Sequence, residues 1–217
     1  MVRAVLFDMD GTLLDTERVY RQLWYEAVQI HGLDPAAMDY GRFVGLSAKA
    51  TYEVVSAEVP TLDVAAFRGH VAEGFRTRLA NGDLPLMPGV HQVLDALDQI
   101  GMTRVVVTST VRAMAEKKLV VTGLRDRIHG LTGGDEVAHA KPAPDIYLLA
   151  AERLGLASSE CLAIEDSPNG MRAAVAAGCR AVMVPDLAGP DDPSWHVVST
   201  LTDVIPRLHA LLNRDTG

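Results

Sequence analysis

Val2-Arg3-Ala4-Val5-Leu6-Phe7 runs into Asp8-Met9-Asp10-Gly11-Thr12, and the fold is read outward from that junction. The run is short, apolar and β-branched, and it stops at an acidic turn that contains a glycine. This is the pattern of a strand buried on both faces and feeding a loop from its carboxyl end. From Thr16 to about Gly82 the grammar changes. Val19, Leu23, Trp24, Ala27, Val28 and Ile30 recur at helical spacing, and further helices are expected over Ala48–Ala57 and Ala65–Leu79. No strand pattern interrupts them. After Pro85 and Pro88-Gly89 the chain alternates: helix Val90–Ile100, strand Arg104–Thr108, helix Arg112–Val121, a weaker strand Gly130–Thr132 and helix Pro144–Leu154. Strand Cys161–Ile164, helix Pro168–Ala177 and strand Ala181–Val184 continue it. The expected class is α/β: a Rossmann-like, three-layer core with a parallel sheet, made of residues 1–15 and 83–217. A helical-bundle cap, residues 16–82, is inserted after the first strand. Ligands of open α/β sheets sit beyond the carboxyl ends of the strands, so an insert at that edge is placed to cover the site.

Composition narrows the function classes. The chain has 217 residues, 48% of them hydrophobic, enough for a proper core. A formal net charge of −8 argues against nucleic acid or an anionic membrane as partner, since both need a positive field, but it leaves room for a local basic pocket. Cys161 and Cys179 lie in apolar surroundings without paired spacing, which speaks against a disulfide framework and a zinc site. A strand-like run starts within three residues of Met1, leaving no room for a signal peptide, and no stretch of about 18 apolar residues suggests a span. A cytoplasmic monomer is expected.

Four places can carry chemistry. Asp8 and Asp10 lie two apart at a strand end, with Gly11 permitting the tight turn; in isolation the pair is better explained by a solvated turn. A calcium EF-hand is excluded because the loop follows a strand and lacks the remaining ligand positions. Thr108-Ser109-Thr110 precede a helix, where hydroxyls and free N–H groups suit phosphate oxygens, although such hydroxyls taken alone are more often ordinary caps. Lys141, before Pro142-Ala143-Pro144-Asp145, is placed to neutralise a phosphate and keep a carboxylate ionised, unless it is simply an exposed lysine. Glu165-Asp166 follow another strand, and Ser167-Pro168 supply an N-cap and first-turn proline. These acids could serve only the helix dipole. Their meeting with Asp8 and Asp10 at one sheet edge favours an oxygen-ligand Mg²⁺ site.

In order, Phe7-Asp8-Met9-Asp10-Gly11-Thr12-Leu13-Leu14-Asp15, the strand ending at Thr108, Lys141-Pro142-Ala143-Pro144-Asp145 and Glu165-Asp166-Ser167-Pro168-Asn169-Gly170 resemble the four motifs of the haloacid dehalogenase-like hydrolases. The insert resembles the C1 helical cap of the β-phosphoglucomutase and phosphatase group. Thr16-Glu17-Arg18-Val19-Tyr20 and Leu86-Met87-Pro88-Gly89 are similar to pseudouridine-5′-phosphatase-like members. The resemblance implies a Mg²⁺-dependent phosphatase for a small phosphorylated metabolite. Asp8 would be the nucleophile and Asp10 the acid/base, with Thr108 and Lys141 completing the catalytic set. Asp8, Asp10, Glu165 and Asp166 would hold the metal, and Gly11, Thr12, Ser109 and Thr110 would line the phosphate. Thr16, Tyr20, Trp24, Ser47 and Lys49 are the cap candidates for the leaving group, with Tyr20 and Trp24 equally readable as packing and Lys49 more readily read as a solvated lysine. Hydrolysis of C–Cl bonds is disfavoured, because the dehalogenases lack a second aspartate at the place of Asp10. The similar mutases carry a cap His and an Arg where this chain has Tyr20 and Ala48 or Lys49, which favours hydrolysis over the alternative, a phosphosugar mutase. A non-catalytic phospho-metabolite binder is the alternative from another class.

Overall fold

The opening run forms strand β1 (Ala4–Phe7), with all four residues buried, in a computed structural model that describes residues 1–43 and 48–213. Helices α1 (Thr16–Ile30), α2 (Ala48–Glu58) and α3 (Val64–Asn81) follow. The chain continues with α4 (Val90–Gln99), β2 (Thr103–Val107), α5 (Arg112–Val121), β3 (Gly130–Thr132) and α6 (Asp145–Leu154). It closes with β4 (Cys161–Glu165), α7 (Pro168–Ala176), β5 (Arg180–Met183) and α8 (Val204–Asn213). The terminal helix lies beyond the last element legible in the sequence. Pro206 interrupts its apolar pattern, yet falls in the first turn, where a missing N–H breaks no helical hydrogen bond.

The strands form one parallel sheet in the order β3-β2-β1-β4-β5. Alternation along β1 sends its side chains to opposite faces. Val5 and Phe7 pack with Val106, Ile164 and the apolar stripes of α4, α5 and α8. Ala4 and Leu6 pack with Val105, Val107, Ala163 and residues of α6 and α7. Helices therefore cover both faces, giving the three-layer Rossmann-like arrangement. Register fixes what lies at the end: Phe7 pairs with Val106 and with Ile164, so Asp8, Val107 and Glu165 reach one level of the sheet. The Asp8 amide donates to the Ile164 carbonyl at 2.9 Å, holding the first loop residue to β4.

Two compact units are present, one of Met1–Asp15 with Pro85–Gly217 and one of Thr16–Leu84. In the first, the segments leaving and re-entering the core are tied together: the Asp15 amide donates to the Pro85 carbonyl and the Met87 amide to the Leu13 carbonyl, both at 2.9 Å. The second unit packs α1 against α3. A Cβ at Gly74 would lie 2.3 Å from Leu23 Cδ2, so glycine allows the close helix approach. Asp63 caps α3 by accepting from the Ala66 amide, and Gly82, in the left-handed conformation at φ 76°, ends it. No helix among the described residues is long and apolar enough to cross a membrane.

Candidate active site

At the carboxyl end of the sheet, the loops after β1, β2 and β4 and the segment before α6 bring one cluster together. Asp8 is 7% exposed. Its Oδ1 accepts from Lys141 Nζ at 2.6 Å, and the same ammonium donates to Glu165 Oε1 at 2.7 Å and to the Val107 carbonyl at 3.0 Å. The hydroxyl of the fully buried Tyr147, on α6, also donates to Glu165 Oε1. Lys141 is thus a buried cation satisfied by two carboxylates and one carbonyl. Burial works against its charge, but Asp8 and Glu165 outweigh that and raise its pKa.

Two glycines make room for the acids. Gly11, at φ +90°, is in a conformation L side chains rarely adopt, and a Cβ there would come 2.3 Å from Asp166 Oδ2. At Gly170, in the first turn of α7, a Cβ would sit 1.9 Å from Glu165 Oε2. Ser167 caps that helix by accepting from the Gly170 amide at 3.1 Å. The sequence Glu165-Asp166-Ser167-Pro168-Asn169-Gly170 therefore starts a helix whose opening turn is pared down to admit a carboxylate.

The donor set fits a hard divalent cation. Asp8, Glu165 and Asp166 each offer an oxygen, all within 4.8 Å of one another. Lys141 supplies one positive charge against these three carboxyl groups. Burial, only partly offset by Lys141, pushes the Asp8 carboxyl up to about 7. Burial and the neighbouring Asp8 and Glu165 push Asp166 up to about 9. Carboxyls crowded in this way gain by exchanging protons for a cation, and an all-oxygen set suits Mg²⁺.

Asp10 faces a different set of donors. Its Oδ1 accepts from Lys118 Nζ at 2.6 Å and its Oδ2 from the Thr110 hydroxyl at 2.7 Å. Thr110, expected on phosphate, thus directs its hydroxyl to Asp10. Thr108 is buried, and its Oγ1 accepts from the Thr110 amide at 3.1 Å, while Ser109 is exposed. The Thr12 hydroxyl is buried without a hydrogen-bond partner. The N-terminus of α5, read as open to phosphate, is partly occupied: the Arg112 amide donates to Asp135 Oδ1 at 2.6 Å.

The expected substrate contacts of the insert divide. Trp24 is 2% exposed, its indole N–H donates to the Met38 carbonyl at 2.7 Å, and Tyr40, Phe43 and Phe67 surround its ring. It is a core residue of the helical unit with its indole N–H donated to a backbone carbonyl, an environment in keeping with the packing alternative. Tyr20 is half-buried and stacks on Phe75 with centroids 4.6 Å apart. Thr16 is buried at the start of α1. Lys49 is exposed beside Glu53, at 3.8 Å. Ser47 lies outside the described residues.

Lys118 and Tyr147 escaped the sequence reading. The signal for Lys118 was a lysine on the buried stripe of α5, between Ala115 and Leu119. Tyr147 sits on a stripe with Ile146, Ala150 and Ala151, where an aromatic reads as ordinary core.

Comparison with known proteins gives concordant matches. The family model described as haloacid dehalogenase-like hydrolase matches residues 2–178. Protein CbbY of Rhodobacter capsulatus is 33% identical over 95% of this chain and 99% of its own length. Fructose-1-phosphate phosphatase YqaB of Escherichia coli is 35% identical over 83% of this chain and 95% of its own. The crystal structure of a CbbY variant from Rhodobacter sphaeroides in complex with xylulose-1,5-bisphosphate superposes with a TM-score of 0.66 and 28% identity, covering 92% of this chain and 95% of that one.

Proposed function

Because the chain belongs to the haloacid dehalogenase-like hydrolases, we propose that this phosphatase hydrolyses a small sugar phosphate through an aspartyl-phosphate on Asp8. The observation that carries the reading is the cluster of Asp8, Lys141, Glu165 and Asp166 at one end of the sheet, with Asp10 held two residues from the nucleophile. The curated relatives named above include a sugar-phosphate phosphatase.

In the proposed reaction Asp8 attacks phosphorus, and the bond from phosphorus to the sugar oxygen breaks. Asp10 hands its proton to the departing alkoxide. Water then attacks the phosphorus of the aspartyl-phosphate, Asp10 takes its proton, and Asp8 and inorganic phosphate are released. Lys141, with its charge fixed between Asp8 and Glu165, orients the nucleophile and offsets the negative charge of the phosphoryl group. Thr108, Ser109 and the Thr12 hydroxyl supply neutral donors for its oxygens. Asp8 and Asp166, with Glu165 and the Asp10 carbonyl, would hold Mg²⁺. A bound Mg²⁺ supplies charge neutralisation at the phosphoryl oxygens. Glu165 has the further task of anchoring Lys141 and Tyr147. Thr16, Tyr20 and Lys49 of the helical unit are assigned to recognition of the sugar.

The test is phosphate release across a panel of sugar phosphates and nucleotides, with Mg²⁺ and with chelator, for the wild type and Asp8→Asn. Chelator-sensitive hydrolysis that is abolished in the variant is expected. Near-wild-type turnover by Asp8→Asn would overturn the covalent route, and isomer formation exceeding phosphate release would replace hydrolysis with a mutase reaction.

A further inference from the structure

Lys118 lies two turns into α5, on the buried stripe that also carries Ala115 and Leu119, and its side chain is 5% exposed. An ammonium in such a place is costly unless something compensates it. The compensation is Asp10: Nζ to Oδ1 is 2.6 Å. The other oxygen of the same carboxylate takes the Thr110 hydroxyl at 2.7 Å. Thr110 stands just before α5 and is itself pinned, its amide donating to Thr108 Oγ1 at 3.1 Å. A single strand-to-helix segment therefore grips both oxygens of Asp10, which fixes the plane of the carboxylate as well as its position. Lys141, by contrast, grips the nucleophile and Glu165. The two buried lysines divide the two aspartates between them.

We propose that Lys118 is a positioning residue for proton transfer, holding the Asp10 carboxyl in the orientation from which it protonates the leaving oxygen. Acid catalysis needs the acid within hydrogen-bond reach and correctly aimed, and small losses of aim cost large factors in rate. Loss of the lysine removes the 2.6 Å contact that holds Oδ1. The inference rests on the proposed phosphatase chemistry, and it makes a demand that a general structural role does not: loss of Lys118 should hurt only substrates whose leaving group must be protonated.

The experiment compares kcat/KM, which reports steps through departure of the leaving group, for fructose 1-phosphate or another turned-over sugar phosphate and for p-nitrophenyl phosphate. The first leaves as an alkoxide that needs a proton, and the second as a stabilised phenolate that does not. Lys118→Met, nearly isosteric and suited to a buried stripe, is expected to lower the sugar-phosphate value by roughly 10- to 100-fold, within the range general acid catalysis contributes. The p-nitrophenyl value is expected to fall less than about threefold, since its leaving group needs no proton. Equal losses on both esters, or none on either, would overturn the inference. If Lys118→Met does not fold, Lys118→Gln is judged by the same ratio. A wild type that hydrolyses p-nitrophenyl phosphate but no sugar phosphate overturns the proposed substrate instead, and the ratio is then read on another alkyl phosphate.

Discussion

Asp8 and Asp166 show how a single residue's environment prepares chemistry. Both carboxyls hold protons more tightly in the metal-free fold than in an unfolded chain, where 3.8 is the reference. The sign follows: a raised folded-state pKa means the folded state binds more protons, so the metal-free protein loses stability as pH climbs from about 4 through about 7 for Asp8 and toward about 9 for Asp166. A divalent cation that displaces those protons should bind more tightly as pH rises. Thermal melts with and without Mg²⁺ at pH 6 and 8.5 are expected to show the larger Mg²⁺-induced rise in Tm at the higher pH. An equal rise at both would mean that other groups hold the ion. At this scale the sequence was legible where a motif names the residue, as with Asp8, Asp10, Lys141, Glu165 and Asp166. It was opaque where a side chain acts by reach. Periodicity marks the α5 stripe but does not say that Lys118 on it extends to Asp10. Nor does four-residue spacing distinguish Trp24 as packing from Trp24 as ligand contact, because the indole N–H finds its acceptor 14 residues away at Met38.

The elements are tuned to the acids at their ends. In α7 the glycine at position 170 is required by Glu165, which a Cβ would strike at 1.9 Å. Gly170→Ala, ordinarily favourable inside a helix, is expected here to cost about 1–3 kcal/mol, as overpacking does. It should also cut phosphate release by displacing the carboxylate that anchors Lys141. Urea melts and the release assay check the two effects, and a stabilised, fully active variant would show that Glu165 has room to move. Most elements were legible because the chain switches clearly between helical and strand periods; α5 and β3 have the limits their patterns predict. The exception, α8, shows what local rules miss. A proline inside an apolar run reads as a break, and only the packing of Val204 and Leu208 under α4 reveals that the helix starts just before it.

For the whole molecule, the residues proposed to hold metal and phosphate all belong to the sheet-containing unit. A chain in which residues 16–84 are replaced by a short glycine-containing turn is expected to unfold cooperatively and to keep the pH-dependent Mg²⁺ response, while losing preference among sugar phosphates. Circular dichroism melts and the substrate panel check this, and an unfolded product would show that the sheet needs the insert. The expectation rests on the paired neck, where Asp15 meets Pro85 and Leu13 meets Met87 at 2.9 Å. The cost of closing a loop grows only logarithmically with its length, and here both ends of the loop are already fastened to each other. By that reckoning the length of the insertion adds little to the cost of closing the neck, so the seam at Asp15 and Pro85 is where one insert could be exchanged for another. With recognition of the sugar assigned to the insert as proposed, recombination at that one seam would let a lineage change what it recognises.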